Sequence, residues 1–150
     1  MSRCGPCTRC ATSDRPVTPE QLSELHAKVS DTPWSVQSFE EQLSHENAVF
    51  VAHAQAFALG RVTLDEAELL QIATNPNHQR RGLAKQMLCD FEHLANVRGC
   101  SRLLLEVAAD NSPALALYSA TGWTRDGLRR GYYRYNNGQR VDAILMSKTI

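Results

Sequence analysis

Residues 68–84 read ELLQIATNPNHQRRGLA, an apolar strand that passes through a turn into a basic, glycine-containing helix start. Leu69, Leu70 and Ile72 give the run its strand character, and Asn75-Pro76 breaks it. Beyond Gly82, Ala84, Met87, Leu88, Phe91, Leu94 and Ala95 recur with helical spacing, and Arg98 and Gly99 mark the helix end. A helix N-terminus exposes unpaired N–H groups and the positive end of the helix dipole. Gly82 lets a ligand approach the backbone closely, while Arg80 and Arg81 add charge. That chemistry suits a pyrophosphate. It does not suit a Walker A loop, which needs lysine followed by serine or threonine. A plain helix start with solvated arginines is the alternative this stretch leaves open.

Working outward, Thr18-Pro19-Glu20-Gln21 reads as a capped helix start, and Leu22, Leu25, His26 and Val29 follow on one face. Asp31-Thr32-Pro33 breaks that helix, Trp34 reads as a packing anchor, and residues 35–43 form a second short helix. Residues 48–53, 56–63 and 66–74 read as strands, as does 102–107. Ser112-Pro113 opens a helix, as cap and first residue, that Gly122 ends. Residues 123–150 read as two antiparallel strands joined near Asn136-Asn137-Gly138, with residues 129–133 expected as a loop. The sum is a mixed α/β domain over residues 18–150.

Composition narrows the class. The chain has 150 residues, 43% hydrophobic and 21% charged, with 16 basic against 16 acidic side chains. Such a balance belongs to a folded globular domain and argues against bulk binding to nucleic acid or anionic membrane. No apolar run nears the roughly 18 residues needed to span a bilayer, and the N-terminus lacks the apolar stretch of a secretory signal. The expected compartment is the cytoplasm. Cys4, Cys7 and Cys10 form a C-x2-C-x2-C run, but no further cysteine or histidine lies nearby to close a metal site. Residues 1–17 are therefore read as a flexible leader, with no metal expected.

Three residues draw attention for chemistry. Glu106 sits within an apolar strand, where an ionised carboxylate is costly unless paired or solvated. Desolvation would make it a better base; strand alternation aiming it at solvent or an internal partner fits equally. Tyr118 reads either as core filling with its hydroxyl at the surface or as a proton donor. Asn111 can cap the following helix or bind a ligand.

Residues 79–84, QRRGLA, resemble the Q/R-x-x-G-x-G/A acetyl-CoA loop of the GNAT N-acetyltransferases. PWS at 33–35, DEAE at 65–68, LEVAADNSPALALYSATGW at 105–123, RRGYY at 129–133 and DAILM at 142–146 extend the likeness. Together they resemble one branch of that superfamily, the RimI-type alanine N-acetyltransferases of small-subunit ribosomal proteins, over residues 18–148. The resemblance implies a twisted, mostly antiparallel sheet of about six to seven strands with about four flanking helices. It implies acetyl-CoA as cosubstrate and a protein N-terminus as partner. Gln79, Arg80, Arg81, Gly82, Leu83, Ala84 and Lys85 would hold the pyrophosphate, with Ile72, Ala73, Thr74, Asn111 and Tyr118 along the pantetheine arm. It further implies Glu106 as general base and Tyr118 as general acid. Tyr132 and Tyr133 would border the peptide, and Glu68 could meet a basic one.

Two departures stand against the pattern. Ala108 occupies a position where these enzymes often carry arginine, which bears on peptide specificity. The leader replaces an obvious first strand, unless residues 11–17 improvise one. Acetylation of a small amine or a lysine side chain, or acetyl-CoA sensing without catalysis, are the competing expectations.

Overall fold

The structure, a computed structural model, describes residues 18–150. The cysteine-containing leader, and any strand within residues 11–17, lie outside the described residues. Within them the order is α1 (Pro19–Ala27), α2 (Val36–Ser44), β1 (Ala48–His53), β2 (Ala56–Thr63), β3 (Glu66–Thr74), α3 (Leu83–Val97), β4 (Arg102–Ala108), α4 (Ser112–Ala120), β5 (Thr124–Arg134) and β6 (Arg140–Thr149). A short 3-10 turn, Pro76–His78, separates β3 from α3.

The six strands form one sheet in the order β1-β2-β3-β4-β6-β5. Every pairing is antiparallel except β3 with β4. This matches the expected mostly antiparallel sheet, with six strands and four α-helices. Alternation along the strands separates two cores. On one face Met87 and Phe91 of α3 and Tyr118 of α4 pack with Leu69, Leu103, Leu105 and Ile144. On the other, Leu22 of α1 and Phe39 of α2 pack with Phe57, Leu59 and Ala73.

Thr18 caps α1 as its spacing predicts, giving its hydroxyl oxygen to Gln21 N–H while Gln21 accepts from Thr18 N–H. At α4 the cap is Asn111 rather than Ser112, because the Asn111 carboxamide oxygen accepts from Ala114 N–H at 3.3 Å. His26 is 3% exposed. Its Nδ1 accepts from Trp34 N–H at 2.9 Å, so Nε2 carries the ring proton, and the Gln71 side chain is a further hydrogen-bond partner. Trp34 and Phe39 close edge-on around that imidazole, which makes Trp34 the anchor its position suggested.

One irregularity shapes the centre of the sheet. Between β2 and β3 the register steps from Leu59↔Gln71 to Gly60↔Leu69, so Leu70 is an extra residue. A bulge bends its strand and sharpens the local twist. The parallel ladder between β3 and β4 runs from Glu66↔Arg102 to Leu69↔Leu105 and stops there, one residue before the bulge. Beyond that point the two strands diverge. Gly60 lies opposite, where an added Cβ would overlap the Glu68 carbonyl oxygen and sit 2.5 Å from Phe91 Cζ.

Gly60→Ala should therefore destabilise the fold by about 1–3 kcal/mol, the usual cost of overpacking, read as a lower urea midpoint. His26 supplies a pH signature. Burial lowers its pKa from 6.5, so the stability it contributes is present above that value and lost as pH falls below it. Urea midpoints should drop on acidification below 6.5, and His26→Asn should flatten that slope; an unchanged slope would assign it to other groups.

Candidate active site

Where β3 and β4 part, a cleft of about 640 Å³ opens. Residues 69–72 of β3 and 105–108 of β4 form its walls, with Asn111, which caps α4, and Tyr118 of α4. Residues 29–32 and Trp34, between α1 and α2, close one side, and Tyr133 of β5 and Tyr135 just beyond it close another.

Glu106 reaches this cleft because β4 alternates. Leu103, Leu105 and Val107 are buried in the α3 core, which turns Glu106 to the opposite face with its side chain 20% exposed. Its Oε1 lies 3.2 Å from Nε of Arg129. Of the two readings left open by the sequence, the strand delivers a cleft-facing carboxylate with an internal partner.

Tyr118 arrives from the other side of the sheet. Its ring is 5% exposed and packs on Trp123 at 5.8 Å between centroids. Burial, then the neighbouring Tyr133, raises its pKa well above the ordinary tyrosine value, so the hydroxyl keeps its proton at any physiological pH. Tyr133 is pushed up to about 12, by burial first and then by Glu106, Tyr132 and Tyr135.

The last hairpin bounds the cleft through a second irregularity. Arg129 pairs with Ala143 and Tyr133 with Val141, so residues 130–132 face Asp142 alone. The expected loop at 129–133 is thus a bulge within β5. Pairing resumes on both sides of it because Gly131, at φ +59°, turns the chain and donates its N–H to Asp142 Oδ1 at 2.8 Å. Further along, Tyr135 OH donates to Asp110 Oδ1 at 2.8 Å and Asn136 Nδ2 to the Asp31 carbonyl at 3.3 Å. Those two bonds fasten the hairpin tip across the cleft mouth.

The segment read as a phosphate site has matching geometry. Arg80 and Gly82 both adopt left-handed backbone, at φ +63° and +79°. α3 begins at Gly82 with no side-chain cap, so its first-turn amides are left without a side-chain acceptor. A Cβ on Gly82 would meet nothing within 4 Å, and Gln79, Arg80, Arg81 and Lys85 are exposed around it. Gln79 Nε2 donates to the Thr74 carbonyl at 3.4 Å, while the buried Thr74 hydroxyl has no partner among the described residues. An uncapped helix start ringed by cations fits a diphosphate.

The other sequence-predicted residues divide. Ile72 lines the cleft, whereas Ala73 turns into the α1/α2 core, leaving only its backbone available. Leu83 packs on the core, and Ala84 offers its amide from the first turn. Glu68 is exposed beside Arg61 and Leu104 and does not line the cleft. Tyr132, 51% exposed, also lies outside the lining and instead packs edge-on against Tyr133. Missed from sequence were residues 29–32, Gln71, Asp110, Arg129 and Tyr135. Of these only Tyr135 carried a signal, as a further tyrosine two residues after Tyr133. Among the described residues no cluster of three or more metal-ligating side chains occurs, and no helix is long and apolar enough to cross a membrane.

Two diverging strands with a cleft between them, followed by an uncapped basic helix start, are the features that the comparisons with known proteins place in a family. Residues 14–123 match the acetyltransferase (GNAT) family, and the chain belongs to that family of acetyl-CoA-dependent acyltransferases. It is 37% identical over 146 residues to the [ribosomal protein bS18]-alanine N-acetyltransferase of Escherichia coli strain K12, covering 93% of each chain. It is 36% identical over 140 residues to N-alpha-acetyltransferase RimI of Mycobacterium tuberculosis, covering 86% of this chain and 85% of that one. The crystal structure of the Escherichia coli ribosomal-protein-S18-alanine N-acetyltransferase superposes with a TM-score of 0.78 at 34% identity, over 87% of this chain and 88% of that one.

The buried tyrosines give an alkaline signature. A phenol whose folded pKa is raised stabilises the fold below its unfolded value and loses that contribution as pH rises past it. Stability should fall between about pH 10 and 12, and Tyr118→Phe and Tyr133→Phe should each reduce the fall in urea titrations.

Proposed function

We propose that this protein transfers the acetyl group of acetyl-CoA to the α-amino group of a protein N-terminus, with the N-terminal alanine of a small-subunit ribosomal protein as its substrate. The observation that carries this reading is the convergence of Glu106 and Tyr118 on one cleft, from opposite faces of the sheet, exactly the place where β3 and β4 part. The relatives at 36–37% identity supply the substrate class.

In this mechanism Glu106 takes a proton from the amine, directly or through water. The nitrogen lone pair forms the new N–C bond to the acetyl carbonyl, whose oxygen is polarised by backbone N–H of β3 near Ile72 or Ala73. The C–S bond breaks, and Tyr118 gives its proton to the departing thiolate. Burial keeps the Tyr118 hydroxyl protonated, so its proton is in place when the thiolate leaves. Residues 79–85 hold the pyrophosphate through first-turn amides and the Arg80 and Arg81 side chains. Tyr133 borders the peptide. The working unit is residues 18–150, acting in the cytoplasm.

Amine pKa favours this substrate. An α-amine titrates near 7.7–8.0, so roughly a tenth is neutral at pH 7, against roughly one lysine in a few thousand. A carboxylate base therefore has a modest task, typically worth about 10²- to 10⁴-fold.

An alanine-initiated peptide should gain one acetyl group on its α-amine, read by mass spectrometry, while an Nα-blocked peptide with an internal lysine stays unmodified. Glu106→Gln and Tyr118→Phe should each lower kcat by about 10²- to 10⁴-fold, with KM little changed in Tyr118→Phe. Equal modification of the blocked peptide would sink the substrate assignment, and full activity of Glu106→Gln would sink its role as base.

A further inference from the structure

Glu106, Ala108, Ala143 and Arg129 share one face of the sheet. Ala108 pairs with Ala143 across β4 and β6, and Ala143 pairs with Arg129 across β6 and β5. Directly opposed residues, and residues two apart on a strand, point to the same side. Glu106 itself faces Leu145, so on β6 the side chains of Ala143 and Leu145 lie between the carboxylate and the arginine. The guanidinium reaches across β6 and meets Glu106 Oε1 at 3.2 Å. The bulge anchored by Asp142 and Gly131 follows directly after Arg129 and places the Tyr132 ring 5.4 Å from the guanidinium carbon.

The two partners are unequally exposed. Arg129 is 54% exposed and Glu106 20%, so the cation lies on the solvent side and covers the carboxylate. An amine arriving at Glu106 as an ammonium ion meets a site already holding a cation.

We propose that Arg129 is a placeholder cation that neutralises Glu106 in the free enzyme and cedes it to the substrate's α-ammonium group. This rests on the reading of Glu106 as the group that receives the amine. The exchange swaps one cation for another, so the cleft's charge is unchanged and the carboxylate is never left desolvated and alone. The displaced guanidinium keeps a resting place on the Tyr132 face, where cation–π attraction holds it. A half-exposed pair is weak enough to be exchanged, worth at most about fivefold in an equilibrium constant. A blocked N-terminus brings no cation and cannot make the exchange.

The test is calorimetric titration of the protein, saturated with coenzyme A, with an alanine-initiated octapeptide and with its Nα-acetylated twin. Arg129→Gln removes the competitor, so the free-amine peptide should bind about two- to fivefold tighter while the acetylated twin is unchanged. Arg129→Lys, which keeps the charge, should behave as the wild type, and Arg129→Met should reproduce Arg129→Gln. In Glu106→Gln the preference for the free amine should vanish. Equal weakening of both peptides in Arg129→Gln and Arg129→Met would make Arg129 a peptide ligand and overturn the proposal, as would no change in either. Turnover separates the two readings. An active Glu106→Gln defeats Glu106 as base, whereas the binding comparison stands or falls without any reaction.

Discussion

The parallel ladder between β3 and β4 cannot continue past Leu69↔Leu105, and the cleft depends on that interruption. Parallel strands normally stay paired because each unpaired N–H and C=O buried between them is costly. Here the extra residue at Leu70 bends β3 while β4 stays straight against β6. The bend needs close approach of β2, which only a residue without Cβ allows at Gly60, pressed between the Glu68 carbonyl and the Phe91 ring. Core packing by α3 and the opening of the cleft are thus two results of one local geometry. The strand backbone exposed by the split becomes an edge to which an extended ligand can bond as another strand would.

Charge is divided between the α3 start and the cleft. Outside the cleft lining, the uncapped first turn of α3 with Arg80, Arg81 and Lys85 makes a positive patch. Within the cleft, Glu106 and Asp110 contribute acidic groups, the first held by Arg129 and the second by the Tyr135 hydroxyl.

Much of this was legible in sequence. The strand limits at 48–53, 56–63 and 66–74 coincide with those observed because turn residues punctuate them. Thr18, Gly99 and Gly122 likewise marked helix ends through local chemistry. The bulge at Leu70 left no mark, since L-L-Q-I reads as continuous strand; Gly60 within a strand was the available hint. Residues 129–133 read as a loop because Gly131 suggests a turn, while the Asp142 side chain that returns them to the strand lies eleven residues away. Glu106 was visible as an anomaly, but its surroundings depend on Arg129, a non-local contact. Residues 29–32 reach the cleft only through tertiary packing, so nothing in their composition announces it. Ala108, noted as a departure, lies two residues beyond Glu106 on β4 and lines the cleft beside it.

The two bonds at the hairpin tip carry a consequence for how the molecule is assembled. Asn136 and Asp31 are 105 positions apart, and Tyr135 and Asp110 are 25 apart. Contacts of such separation close late, because loop-closure entropy opposes them until intervening elements have formed. During synthesis β3 and α3 emerge together and can pack while β5 and β6 are still being made. At that stage β4 is an uncovered edge of leucines and valine, a template for association with another chain. Only arrival of β6 shields it, and only then do Glu106 and the cleft mouth take their places. The half that carries the α3 N-terminus is therefore built first, and the half that carries Arg129 and the cleft mouth is built last.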